Sequence, residues 1–188
     1  MRHSGLSRRV FTLGALASTG AVAACGNGVG SRRSVTIDAR VGATLDEMYR
    51  SYPNTRSLAE KADGMLVMPV VTEAGFGFGG AYGEGALLVN GATVDYYSVI
   101  KGSGGLQIGA QQFSHVLFFM TDEALTDFRR SPGWAAGADL EYVISDKGES
   151  VAADTTTTLS PVLAAVFAQA GLRLGATLEG TKYTRVIR

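Results

Sequence analysis

A glycine-rich segment in the first half of the chain is the strongest indication of the fold, and it reads Gly75-Phe76-Gly77-Phe78-Gly79-Gly80-Ala81-Tyr82-Gly83-Glu84-Gly85. Its aromatic residues are typical of β-strands. Glycine inside a strand marks a bulge, a bend or the close approach of another backbone. Related segments follow at 105–110, 133–138 and 171–176, and the segment at 105–110 is nearly repeated at 171–176. The pattern predicts a strongly curved sheet or partial barrel that bends at its glycines.

Apolar runs on both sides of this segment extend the predicted strands. One run covers 65–71 before it, and a long strand is predicted over 106–120. Between them, Asn90-Gly91 separates strands predicted at 76–89 and 94–100. This dipeptide strongly favours a two-residue hairpin turn. Residues 159–170 fit either a capped helix or an alternating strand, and the pattern leaves both open.

Helices are predicted at the start of the domain and once within it. Apolar residues recur every three or four positions from Thr36 to Tyr52, with a second possible start at Thr44 and a stop at Pro53. A short helix is predicted at about 55–62, and another after Thr121. The strands lie too close together for repeated crossover helices. We therefore expect an α+β fold, with N-terminal helices packed on a curved, mostly antiparallel sheet.

Residues 1–24 have the composition of a cleaved export signal. Arg8-Arg9 and Phe11 precede a run of small or apolar residues that ends at Ala24. Paired arginines at this place indicate the twin-arginine route, which exports folded proteins in bacteria. The apolar run is shorter than the roughly 20 residues needed to span a bilayer. We therefore predict that this segment is a signal and not a permanent membrane anchor.

Cys25 is the predicted site of lipid attachment. Val22-Ala23-Ala24-Cys25 resembles a bacterial lipobox, and Cys25 is the only cysteine, which excludes an intrachain disulfide. A lipidated cysteine carries several acyl chains such as palmitate, enough for stable anchoring. The alternative is a plain signal with an incidental cysteine. We expect residues 25–35 to form a lipidated tether and 36–188 to form a domain facing the periplasm, with the outer membrane favoured because Gly26, and no aspartate, follows Cys25.

The charge balance excludes nucleic acid as a partner. Removal of residues 1–24 leaves 14 lysines and arginines against 17 aspartates and glutamates, a net charge of −3. Nucleic-acid binding depends mainly on neutralising phosphates with basic residues. The remaining 164 residues suffice for one domain.

The sequence offers no constellation for a cofactor or a metal ion. Gly75, Gly77 and Gly80 have the G-x-G-x-x-G spacing, but a strand-like segment follows where a nucleotide site needs a helix. His115 is the only histidine after residue 24, so zinc lacks ligands. Asp139 and Asp154 have no calcium-loop spacing. We therefore expect no cofactor and no metal.

The sequence also predicts no catalytic residues. A serine–histidine–carboxylate triad would have to use His115, which lies inside a strand pattern typical of a buried side chain. Glu84 and Glu179 lie beside glycines and form a candidate acid–base pair. They fit equally well as surface charges or as partners of backbone amides. We expect a protein that is not an enzyme.

An ordered series of short motifs resembles the SYLF domain. The series covers residues 36–187 and runs through Ala62-Asp63-Gly64-Met65-Leu66-Val67-Met68-Pro69, the glycine-rich segment 75–87, Tyr96-Tyr97, Gly105-Leu106-Gln107-Ile108-Gly109-Ala110-Gln111, Phe119-Met120-Thr121, Gly133-Trp134 and Leu178-Glu179-Gly180-Thr181-Lys182. The similarity is strongest to the bacterial lipoprotein branch of the family. His115 and Ala135-Ala136 depart from the family pattern without threatening the fold.

The resemblance implies a non-enzymatic domain that binds membrane lipid. Lys61, Lys101, Arg173 and Lys182 are the candidate headgroup contacts, because each lies beside a glycine-rich or family-matching segment. The expected partners are membrane lipids, reached through acylated Cys25 and through the domain. The alternatives are a structural envelope protein that binds another protein and, less favoured, an enzyme that modifies lipid or glycan.

Overall fold

The computed structural model describes residues 31–137, 140–144, 160–171 and 178–187. Its helices are α1 (Arg32–Ser51), α2 (Thr55–Lys61) and α3 (Asp122–Arg130). Its strands are β1 (Gly64–Val89), β2 (Ala92–Phe119), β3 (Trp134–Ala135), β4 (Glu141–Ile144), β5 (Val162–Gly171) and β6 (Lys182–Val186). Seven residues named in the sequence analysis lie outside these ranges: Arg8, Arg9, Phe11, Cys25, Asp139, Asp154 and Arg173.

The long hairpin of β1 and β2 organises the sheet. The two strands pair antiparallel from Gly64–Phe119 to Val89–Ala92, with three irregularities in register. Asn90 and Gly91 form the turn with φ values of 51° and 76°, as a two-residue hairpin with two left-handed residues requires. The predicted turn is confirmed. The strands predicted separately at 65–71 and 76–89 are one continuous strand.

The other edge of β2 carries two different strands. β6 pairs with its first half, at 96–100, and β5 pairs with its second half, at 111–119. β3 lies outside β6, and β4 lies outside β5 as the one parallel neighbour among the described strands. The strand interpretation of 159–170 is therefore correct and the helix interpretation is wrong, because β2 supplies an open edge.

Glycines allow the hairpin to curl until the two halves of β1 touch. A Cβ atom at Gly83 would lie 2.7 Å from the carbonyl oxygen of Val70, and one at Gly85 would overlap the carbonyl oxygen of Val67. No other residue type leaves room for this contact between backbones. The predicted curvature at the glycines is confirmed, and with it the α+β fold.

The sheet has an apolar core on each face. On one face, α3 buries Leu125 and Phe128 against the sheet. On the other face, α1 and α2 bury the side chains of Ile37, Val41, Met48 and Leu58. We refer to these as the α3 face and the α1 face. The middle of the sheet is covered on both sides, so the uncovered parts of each face are the surfaces available for binding.

Helix α1 begins earlier than its apolar pattern predicted. Ser31 caps it by accepting a hydrogen bond from the Ser34 amide at 3.1 Å, so the helix takes in residues that we had assigned to the tether. It continues through Thr44, and the alternative start there is wrong. Asp38 fixes the helix to β2 by accepting bonds from Thr93 Oγ1 at 3.0 Å and Tyr96 Oη at 2.8 Å.

Candidate functional site

The α1 face carries a row of exposed residues that none of the described helices covers. Tyr82 of β1 pairs with Ile100 of β2, and Ile100 pairs with Lys182 of β6. Paired residues of neighbouring strands point to the same face. Tyr82 and Ile100 are each 50% exposed, a large fraction for an aromatic and an aliphatic residue in a sheet. We call Tyr82, Ile100 and Lys182 the open row.

The open row is exposed because the first turn of α1 reaches only as far as Glu84, two residues along β1 from Tyr82. Arg33, in the first turn of α1, binds Glu84 through two contacts, Nε to Oε2 at 3.0 Å and Nη2 to Oε1 at 2.6 Å. Tyr82 Oη also donates a hydrogen bond to Glu84. Beyond this contact the sheet continues toward its glycine-rich bend, and α1, α2 and α3 do not extend over it. The N-terminal end of α1 therefore sets the boundary of the exposed surface.

A groove between α1 and β1 borders the open row. It encloses about 280 Å³ and is lined by Arg33, Ile37, Arg40, Pro69, Val70, Thr72, Tyr82, Gly83 and Glu84. Arg33, Ile37 and Arg40 share one side of the helix because they are spaced by four and three residues. Val70 is 39% exposed. An apolar surface thus adjoins two guanidinium groups at the start of α1.

The bond to Glu84 makes Arg33 a fixed cation. Hydrogen bonding and charge attraction from Glu84 raise the pKa of Arg33. Glu84 is itself occupied by Arg33 and Tyr82, which leaves it poorly placed to exchange protons with a substrate. Glu179 lies exposed in the turn that precedes Gly180. The structure gives Glu84 a structural role in place of a role in an acid–base pair.

The structure separates the basic residues that the sequence suggested as headgroup contacts. Lys182 belongs to the open row, and its side chain lies against Gly133. Lys101 pairs with Ala81, which is buried on the α3 face, so Lys101 lies on the opposite side of the sheet. Lys61 ends α2, and Gly64, three residues later, lies against Leu88 beside the hairpin turn. Leu88 is six residues, or about 20 Å, along β1 from Tyr82.

Sequence reasoning missed the apolar part of this surface and the arginines beside it. Tyr82 and Ile100 occupy strand positions that alternate with buried neighbours, which signals one exposed face. The pattern does not show where α1 stops covering that face. Arg33 lies within residues 25–35, which we had assigned to the tether, because the helix start at Arg32 was not predicted.

His115 is buried and does not form a catalytic triad within the described residues. Its Nε2 lies 2.8 Å from Tyr183 Oη, and its Nδ1 has no hydrogen-bond partner there. Burial lowers the pKa of His115 to about 3, so the imidazole is neutral at physiological pH. The prediction of a buried histidine is confirmed.

Two further findings concern metal ligands and membrane-spanning helices in the described part of the chain. It contains no group of three or more His, Cys, Asp and Glu side chains arranged to hold a metal ion. None of its helices combines the length and the hydropathy needed to cross a membrane.

Comparison with known proteins matches the second half of the chain to one family. The family model, described as Ysc84, Las17-binding protein actin regulator, matches residues 100–186. The matched region begins in β2 and includes α3 and β3 to β6. No curated protein matches the chain. The resemblance over residues 36–99 lies outside the match and stays a prediction. Residues 100–186 of this chain match the Ysc84 family, the family of the SYLF domain.

Proposed function

We propose that this protein is an exported bacterial lipoprotein whose SYLF-family domain binds membrane lipid without catalysing a reaction. The observation that carries the proposal is the open row of Tyr82, Ile100 and Lys182 beside the groove that contains Arg33 and Arg40. The family match over residues 100–186 supports the same function.

The open row has the chemistry of a membrane-contact surface. Tyrosine suits the interface because its ring is apolar and its hydroxyl is polar. Ile100 supplies an aliphatic side chain that gains free energy on leaving water. Lys182 and Arg40 supply cations for lipid phosphates, whereas the charge of Arg33 is balanced by Glu84. Lysine can extend its charge to the headgroups while its stem stays on apolar surface. The three components lie side by side on one surface.

The position of the predicted lipid anchor supports the same surface. Ser31, the cap of α1, follows Cys25 by six residues. Six residues span at most about 20 Å when fully extended. An acylated Cys25 would therefore hold the start of α1 close to the membrane. The groove and Tyr82 adjoin that end of the helix, through the contact of Arg33 with Glu84 and Tyr82.

A structural envelope protein with a protein partner is the second candidate. An exposed apolar surface also suits protein binding, and the family description names a protein partner, Las17, and actin regulation. We do not transfer that partner to this chain, because an exported bacterial protein meets neither molecule. An enzyme acting on lipid or glycan ranks third.

Co-sedimentation of residues 26–188 with liposomes separates these candidates. We expect binding to vesicles that contain phosphatidylglycerol, and weaker binding as salt is raised, because salt screens the basic groups. Failure to bind any vesicle would favour a protein partner. Turnover of the lipid, followed by thin-layer chromatography, would establish an enzyme.

Export and lipidation are tested in cells. We expect Cys25→Ser to abolish labelling with a palmitate analogue and to release the protein from the membrane fraction. Replacement of Arg8 and Arg9 by lysine should block export through the twin-arginine route. Normal export of that variant would indicate the general secretory route, and unchanged labelling of Cys25→Ser would contradict the lipoprotein assignment.

A further inference from the structure

A second pocket lies on the α3 face, on the opposite side of the sheet from the open row. It encloses about 380 Å³ between α3, β3 and the start of β5, and its walls include Glu123, Asp127, Trp134, Leu140 and Val162. This volume falls within the usual range for small-molecule sites. The lining combines one indole, aliphatic side chains and two carboxylates.

Trp134 is held in place by other aromatic rings. Its ring centroid lies 5.6 Å from that of Phe128, near edge-to-face at 68°, and 5.7 Å from that of Tyr183. Phe128 in turn packs against Tyr97 and Phe119 at 4.7 Å. The indole is therefore fixed before any ligand arrives, which reduces the entropy lost on binding.

Glu123 and Asp127 place two negative charges on the same wall. They are four residues apart on α3 and thus share one side of the helix. Both are exposed, and neither forms an ion pair with another described residue. Arg129, on the same helix, is engaged with Asp95 at 3.3 Å. Within the described part of the chain, the helix dipole stabilises Glu123 in the first turn of α3, and no basic side chain forms an ion pair with either carboxylate.

We infer that this pocket binds an organic ammonium group, with its alkylated nitrogen over the ring of Trp134 and its charge toward Glu123 and Asp127. An indole face attracts cations, and quaternary ammonium groups are typical ligands of such sites. The mixed lining disfavours a bare calcium ion, which requires six to eight oxygen ligands. It also disfavours phosphate, which the carboxylates repel. Choline is the simplest molecule with this chemistry.

The ammonium group has two natural sources, a free small molecule and the headgroup of a phosphatidylcholine-type lipid. The inference does not depend on membrane binding by the open row, because a soluble ligand tests the pocket alone. Failure of the proposed lipid function and failure of this site are therefore separate results.

Tryptophan fluorescence reports on the site directly, since Trp134 is the only tryptophan in the chain. We expect choline to produce a saturable change in the emission of the purified 188-residue chain, with sodium chloride keeping ionic strength constant. The matched neutral compound, 3,3-dimethyl-1-butanol, should produce no comparable change. An equal response to both compounds, or no saturable response to choline, overturns the inference.

Charge removal provides the second test. We expect the double variant Glu123→Gln/Asp127→Asn to bind choline about tenfold more weakly, from two partly screened charge contacts. Asp122→Asn removes a neighbouring charge from the same helix but not from the pocket, and should leave affinity unchanged. Equal affinity of the double variant and the native protein, with matching circular dichroism, overturns the role of the carboxylates.

Soluble dihexanoylphosphatidylcholine identifies the source of the ligand. Binding at least fivefold tighter than that of choline assigns the site to a lipid headgroup. Binding equal to that of choline assigns it to a free ammonium compound. Binding of neither overturns the inference.

Discussion

Burial of His115 should make the stability of the domain fall between pH 8 and pH 5, above the ordinary pKa values of aspartate and glutamate side chains. Burial lowers the pKa of His115 in the folded state to about 3, whereas the unfolded chain has the ordinary value of 6.5. Between these values the unfolded state binds a proton that the folded state does not. Acidification therefore favours unfolding, and the stabilisation present above pH 6.5 is lost as the pH falls toward 3.

The size of this loss follows from the two pKa values. At pH 5 the unfolded histidine is almost fully protonated, while the folded one remains neutral. The free energy of unfolding changes by about 1.4 kcal/mol per pH unit once the unfolded group is protonated. Between pH 8 and pH 5, His115 should therefore remove about 2 kcal/mol of stability.

Urea unfolding followed by circular dichroism at pH 8, 6.5 and 5 measures this contribution. His115→Gln is the matched variant, because glutamine retains a hydrogen-bonding side chain near Tyr183 Oη but does not titrate. The variant should be less stable at pH 8 and lose about 2 kcal/mol less than the native protein on acidification. If both proteins lose the same stability between pH 8 and pH 5, the histidine is not held neutral by burial and the reasoning is wrong.

Three further predictions concern the fold. Gly85→Ala should destabilise the domain by about 3 kcal/mol or more, since its methyl group overlaps the Val67 carbonyl oxygen. Gly42→Ala should stabilise the domain by about 0.5–1 kcal/mol, because the added methyl group in the middle of α1 meets no atom within 4 Å. A Gly85→Ala protein of native thermal stability would contradict the contact within β1. Thr121→Ala should cost about 1 kcal/mol through loss of the α3 cap, measured by urea unfolding, and no change would contradict that role.

Local signals predicted the parts of the fold that are fixed locally. Asn90-Gly91 specifies its turn through the backbone angles of two residues, and Thr121 caps α3 through a bond to an amide three positions away. The continuity of β1 through its glycine-rich bend depends on pairing with β2. Residues 162–171 form a strand for the same reason, because partner strands override a weak local preference.

The binding surfaces were harder to predict because they depend on what covers the sheet. Lys182 was identified from its neighbourhood in sequence, yet the exposure of Tyr82 and Ile100 depends on where the N-terminus of α1 lies above the sheet. The position of this N-terminus is set by the cap at Ser31 and by the contact of Arg33 with Glu84, a residue 51 positions away. The pocket at Trp134 likewise joins α3 to strands distant in sequence.

Liposome binding by a variant of the open row measures whether the domain contacts membrane lipid through Tyr82 and Ile100. Tyr82→Ser/Ile100→Ser removes the two half-exposed apolar side chains, and Val94→Ser/Ile187→Ser removes exposed apolar side chains outside the row. Transfer of the exposed halves of Tyr82 and Ile100 into a membrane gains about 2 kcal/mol in total, so the first variant should bind phosphatidylglycerol vesicles at least tenfold more weakly. The second variant should bind like the native domain. Equal binding by both variants would contradict lipid contact through the open row.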